Sequence, residues 1–146
     1  MWNEIVSQED INSFMELLGG FHDGCIKEFK YISGAFVQEN LSMHPFNRKR
    51  KLKMIIQRQY RDPSVIEMEF GGLIQLQVFP MDENRGDCII FGATMLKGDG
   101  YIYWCDDENL SENDLDSYGG TLICSESVRW RAVDEYIGEE EVYVNR

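Results

Sequence analysis

The chain has 146 residues, of which 43% are hydrophobic and 12% aromatic, with 14 Lys and Arg set against 26 Asp and Glu for a net charge of −12. That much apolar material argues against disorder, and the length suits one domain that hides roughly 70% of its extended-chain surface on folding. The acidic balance disfavours general binding to a phosphate backbone, no apolar run reaches the roughly 20 residues of a membrane span, and the opening Met1-Trp2-Asn3-Glu4 lacks the cationic and apolar parts of a signal peptide. A soluble, cytoplasmic protein is the expectation.

The first element is a helix. Ser7-Gln8-Glu9-Asp10 has the form of a capping box, with Asp where Glu or Gln is usual. Ile11, Phe14, Met15 and Leu18 then follow the i, i+3, i+4, i+7 spacing of one buried stripe, and Gly19-Gly20 supplies a left-handed stop. The spacing predicts a helix from about Gln8 to Leu18. Beyond it the period becomes two. Cys25–Ile32 reads as a strand, Ala35–Met43 as a weaker one, and Lys51–Tyr60 as a third with Leu52, Met54 and Ile56 on one face.

After the turn at Asp62-Pro63-Ser64, Val65–Phe70 places Ile66, Met68 and Phe70 inside and Glu67 and Glu69 outside. Leu73–Phe79 does the same with Ile74, Leu76 and Val78 inside. Cys88–Leu96, apolar on both faces, reads as a central strand; Lys97-Gly98-Asp99-Gly100 is a hairpin signal leading to Tyr101–Cys105. A helical turn is expected around Glu112–Ser117. Thr121–Cys124 and Val128–Val133 read as a last strand pair before an acidic tail. The predicted class is α+β and β-dominated: an N-terminal helix packed on a mostly antiparallel sheet or sandwich of about 7–9 strands, in one domain spanning residues 1–146.

Cys25, Cys88, Cys105 and Cys124 contain no Cys-x-x-Cys pair, which excludes zinc-ribbon spacing, and each lies in an apolar, strand-like setting. Buried free thiols are the plain reading; a nucleophilic Cys25 assisted by His22 is the sharper one. Phe21-His22-Asp23-Gly24 stands between the helix stop and the first long strand. A His-Asp pair there either fixes the turn by hydrogen bonds or contacts a partner or metal. A His-Asp phosphohydrolase would need further histidines, and the chain has only His44 besides.

Charge is distributed unevenly: residues 1–40 carry −5, residues 41–61 carry +7 and residues 62–146 carry −14. The basic island Arg48-Lys49-Arg50-Lys51-x-Lys53 lacks interleaved exposed aromatics, so its side chains are expected to pair with carboxylates on neighbouring strands. Asp106, Asp107, Glu108, Glu112, Asp114 and Asp116 form an acidic run with no Lys or Arg among them. Neither this run nor Asp82-x-Asn84-x-Gly86 has the ligand spacing of a calcium loop. The run reads as a solvated loop, or as a surface that attracts a cationic partner. Arg129-Trp130-Arg131 reads as an inward anchor between two solvated arginines, and Tyr101, Tyr103 and Trp104 as packing residues. There is no Gly-rich phosphate loop, Gly-x-Ser-x-Gly or His-Glu-x-x-His, and so no catalytic residue, metal or cofactor is assigned.

Leu18-Gly19-Gly20-Phe21-His22-Asp23 with Cys25-Ile26, together with the Asp99–Trp104 hairpin and Val128-Arg129-Trp130-Arg131, resembles the (F/L)-H-D-x-x-I pattern of small uncharacterised bacterial proteins. Some of these are grouped as immunity proteins of polymorphic-toxin systems. The resemblance implies a bacterial, cytoplasmic, non-enzymatic β-rich protein, and marks His22 and Asp23. The function expected from residues and resemblance together is an acidic protein-binding module, of immunity type, that neutralises a basic toxin domain. Its contacts would come from His22, Asp23, Asp106, Asp107, Glu108, Glu112, Asp114 and Asp116, with no nucleic acid and no membrane involved. The alternatives are a small metal-dependent hydrolase using His22, Asp23 and acidic-loop carboxylates, or a structural protein.

Overall fold

A computed structural model describes residues 1–46, 49–84 and 86–144. Arg48, at the head of the basic island, lies outside the described residues. Strand β1 (Asn3–Ile5) leads into helix α1 (Gln8–Leu17), which is followed by β2 (Gly24–Ile32), β3 (Phe36–Val37), β4 (Met43–His44), β5 (Lys51–Arg58) and β6 (Val65–Gln77). The remaining strands are β7 (Ile89–Ile90), β8 (Thr94–Lys97), β9 (Ile102–Cys105) and β10 (Leu122–Ala132). The antiparallel sheet runs β7-β2-β5-β6-β10-β9-β8, with β1 paired to the second half of β10; β3 and β4 form a separate hairpin.

This strand order forces the sheet to curl. Six steps of about 4.8 Å would hold the edges of a flat sheet about 29 Å apart. Yet β7 and β8, at opposite ends of the order, are joined by residues 91–93 alone. The chain from Ile90 to Thr94 can reach at most about 14 Å, so the two edges must come together. Inside the curl lie Ile11 and Phe14 of α1 and Leu18 at its C-cap, with Leu52, Met54, Ile56, Ile66, Met68, Phe70, Trp104, Ile123 and Val128. Ser7 caps α1, and the reciprocal bond from Asp10 completes the box. The predicted class and the helix stop are thereby met: Gly19 and Gly20 have φ of 57° and 67°.

Several sequence expectations are corrected. Cys88–Leu96 is not one central strand but two short ones on opposite sheet edges, because Gly92 breaks the apolar run where the chain crosses between them. Val65–Phe70 and Leu73–Phe79 are one 13-residue strand. Its Gly72 has φ 60°, and the pairing with β10 slips at Cys124/Ser125. Past that point Leu73 and Leu76 pack on the core, while Ile74 and Val78 are turned out. Thr121–Cys124 and Val128–Val133 belong to a single β10, and Ala35–Met43 is the β3–β4 hairpin instead of a strand of the sheet. Cys88 is exposed, unlike the buried Cys105 and Cys124. The Lys97–Tyr101 hairpin and the 3-10 turn at Glu112–Ser117 occur where expected.

The outer face of the sheet carries a charged strip whose two carboxylates are buried. Glu67 and Glu69 on β6 are 1% and 8% exposed. Lys53 Nζ lies 3.6 Å from Glu67 and 4.0 Å from Glu69, and Lys51 Nζ lies 3.9 Å from Glu69. From the other side Arg131 bonds Glu67 at 3.1 Å and Arg129 bonds Glu69 at 2.9 Å. Lys51 and Lys53 of the basic island thus pair across strands as the sequence suggests. Arg129 and Arg131, expected to be solvated, are held in this strip, and the Trp2 ring covers both at 4.3 and 4.5 Å. Trp130 points inward onto Phe14, 5.0 Å between ring centroids.

Candidate functional site

The site is built where the curled sheet meets itself. Gly19, Gly20, Phe21 and Asp23 all have positive φ, which packs the chain after α1 into a tight loop. Phe21 anchors it: the ring is fully buried, edge-on to Phe14 and to Trp104 at 5.6 Å each. With Phe21 inside, His22 and Asp23 are carried outward to the seam between β7 and β8. Three bonds stitch the loop to the crossing chain. Ala93 N donates to Gly20 O at 2.8 Å, and Asp23 N donates to Ile90 O at 2.9 Å. His22 Nδ1 lies 2.8 Å from Phe91 O; a carbonyl only accepts, so Nδ1 carries the hydrogen. His22 Nε2 then faces Asp23 Oδ2 at 3.4 Å, and Tyr60 OH donates to the same oxygen at 3.2 Å.

Between these bonded residues Phe91 stands 68% exposed, beside Ile89 at 47%. They form one end of a groove of about 460 Å³ whose apolar walls include Ile26, Phe29, Val78, Phe79 and Met81. That volume lies within the usual range of ligand pockets.

The acidic run reaches the same seam. A Cβ on Gly92 would meet Glu108 Oε2 at 2.7 Å, so the Glu108 side chain lies over the crossing point next to Phe91. The six carboxylates divide by role. Asp106 accepts hydrogen bonds from the Tyr118 hydroxyl and from Thr121 N, closing the loop at its base. Asp114 accepts from Ser111 N and Oγ at 2.9 Å, bonds that hold its carboxyl below the usual range. Asp107 accepts from Glu108 N at 2.8 Å. Glu108, Glu112 and Asp116 are exposed. The candidate residues named from sequence are therefore of two kinds. Asp106, Asp107 and Asp114 shape the loop, whereas Glu108, Glu112 and Asp116 present charge.

Sequence reasoning missed the apolar half of the site. Its one signal is the Gly92 interruption in an otherwise apolar run. Cys25, the sharper reading of the cysteines, has its thiol pKa pushed up first by burial and further by neighbouring Cys88, opposite to what activates a nucleophile. Among the described residues no three His, Cys, Asp or Glu side chains gather into a group that could hold a metal ion. No helix there is long and apolar enough to cross a membrane.

Burial, and then the adjoining Asp106 carboxylate, push the Tyr118 pKa above its usual value. A raised folded-state pKa gives a contribution that is complete below the ordinary tyrosine value of about 10 and is lost as pH rises beyond it. Tyr118→Phe should therefore flatten the fall in thermal midpoint between about pH 9 and about pH 11 relative to the parent. Parallel curves for the two proteins would refute the assignment.

No protein-family description, curated protein or solved structure matches this chain significantly.

Proposed function

We propose that this chain is a non-enzymatic binding module that covers a cationic, partly apolar surface on another protein, in the manner of an immunity-type protein neutralising a basic toxin domain. The observation that carries the reading is the seam itself: exposed Phe91 set among His22, Asp23 and Glu108, with Glu112 and Asp116 on the adjoining loop. An apolar anchor within a polar rim is the usual anatomy of a specific interface. Exposed carboxylates add long-range attraction, which speeds encounter with a basic partner more than it raises affinity. Nucleic acid fits poorly. Lys51 and Lys53 are committed to Glu67 and Glu69, Arg50 pairs with Glu126 at 3.3 Å, and Arg58 is buried against the Leu18 and Pro63 carbonyls.

The test uses matched baits in extract of the source organism. The parent should retain a basic protein at about 0.1 M salt and release it toward 1 M, as the screening length falls from about 10 Å to about 3 Å. The triple variant Glu108→Gln, Glu112→Gln, Asp116→Asn should retain much less of it, and Phe91→Ser should shorten its residence time. Identical retention by parent and variants refutes the proposal.

A further inference from the structure

We propose that the free edge of β2 is a self-pairing surface through which two copies of this chain form a twofold dimer. On one side β2 pairs along its whole length with β5, but on the other β7 covers only Gly24 and Cys25. Among the described residues nothing pairs with that edge from Ile26 to Ile32. An open edge of this length is a template for another strand, and it carries none of the proline that commonly blocks one.

Charge identifies the strand that fits. Phe29 and Tyr31 lie on the core face opposite Met54 and Leu52, while Glu28 and Lys30 lie on the outer face opposite Ile55 and Lys53. Antiparallel pairing of β2 with a second β2, centred on Phe29, sets Phe29 against Phe29 and each Glu28 against the second copy's Lys30. Two opposite-charge pairs result. A slip of one residue would oppose core-facing to outward side chains. A slip of two would set Lys30 against Lys30, or Glu28 against Glu28. Over residues 28–30 this register alone of the three satisfies both charge and pleat; beyond them the bulge between Ile26 and Glu28 leaves Ile26 on the core face and Ile32 on the outer one. Glu28 already accepts the Tyr143 N–H at 3.1 Å, which fixes its carboxylate on the outer face with lone pairs to spare.

The same register gives the β3–β4 hairpin a place to pack. Phe36, Leu41, Met43 and Phe46 are 53%, 82%, 67% and 93% exposed, and none of them joins a core cluster of its own chain. His44 stacks on Phe36 with Nε2 buried and without a hydrogen-bond partner among the described residues. A two-stranded hairpin of this kind is marginal in water by itself. It follows directly from the Ile32 end of β2, and antiparallel pairing delivers that end to the second copy's Ile26. There the apolar groove formed by Ile26, Phe29, Val78 and Met81 opens. Each copy would seat its hairpin in the other's groove, twice by symmetry.

Sedimentation velocity on the full chain at micromolar concentration tests this. The parent should sediment as a species of twice 17.0 kDa. Lys30→Glu turns both attractive pairs repulsive and should raise the dimer dissociation constant at least about tenfold. Phe36→Ser/Leu41→Ser/Phe46→Ser should weaken the dimer as well, and both variants alter exposed side chains, so far-UV circular dichroism should match the parent. Amide exchange at residues 27–32 should slow with increasing concentration in the parent and not in Lys30→Glu. A monomeric parent, whose edge would then be left for an unrelated strand, overturns the proposal. So does a dimer indifferent to both variants. Neither result bears on retention of a basic partner by the acidic loop, so the two proposals fail separately.

Discussion

Replacing Glu67 by Ala should cost about 3–5 kcal/mol of stability, the range for removing one partner of a buried ion pair. For a chain of this size each kcal/mol moves the thermal midpoint by about 2–4 °C, so a fall of roughly 6–20 °C is expected. The size of the effect follows from the outer strip. Among the described residues Lys51, Lys53, Arg129 and Arg131 converge on Glu67 and Glu69, and Glu67 is the deeper, with Lys53 at 3.6 Å and Arg131 at 3.1 Å. Without its carboxylate both cations remain partly shielded from water and face like charge. The loss belongs to the stranded cations, more than to the pair. The triple variant Glu67→Leu/Lys53→Met/Arg131→Met should accordingly regain most of it. A Glu67→Ala cost below about 1 kcal/mol, typical of a surface pair, would contradict this account.

Phe21→Ala should be as damaging, about 3–5 kcal/mol, from lost burial and the cavity left between Phe14 and Trp104. Phe21 also pins the loop whose Gly20 O and Asp23 N hold the crossing chain. Amide exchange at Asp23 and Ala93 should therefore accelerate beyond what the global destabilisation produces. Phe21→Leu, which fills most of the volume, should cost less and leave those two amides near their parental rates. If Phe21→Ala leaves them protected relative to the rest of the core, the seam is held by other contacts.

Local sequence made much of this fold legible. The Ser7–Asp10 cap, the Gly19-Gly20 stop, the Lys97–Gly100 turn and the alternation in β5 are short-range signals that the tertiary structure leaves intact. The curl was not legible. It depends on β7 and β8 joining opposite edges, and an apolar run such as Cys88–Leu96 has the same pattern whether it is one central strand or two edge strands. The positive φ of Gly72 and the slip that skips Ile74 opposite Cys124/Ser125 likewise turn Ile74 outward against a period-two reading without altering composition. At the candidate site, residue types pointed to His22, Asp23 and the acidic run. Phe91 went unnoticed because an aromatic side chain within an apolar run reads as core; only the chain crossing exposes it.

The net charge of −12 takes on a more definite form in three dimensions. Lys51 and Lys53 of the basic island are used up in the sheet's outer strip, and half of the acidic run is used up in shaping its own loop. At the seam, exposed Glu108, Glu112 and Asp116 lie on the loop beside the exposed Phe91 ring, and this is the surface proposed for a partner.

The most direct test of that proposed surface is the hydrogen-exchange footprint of the chain mixed with a basic protein captured by the parent bait. Slowed exchange is predicted at residues 21–23, 90–93 and 106–117, with the outer strip on β6 and β10 unchanged. Protection confined to other surfaces, with those three segments exchanging as in the free chain, would contradict it.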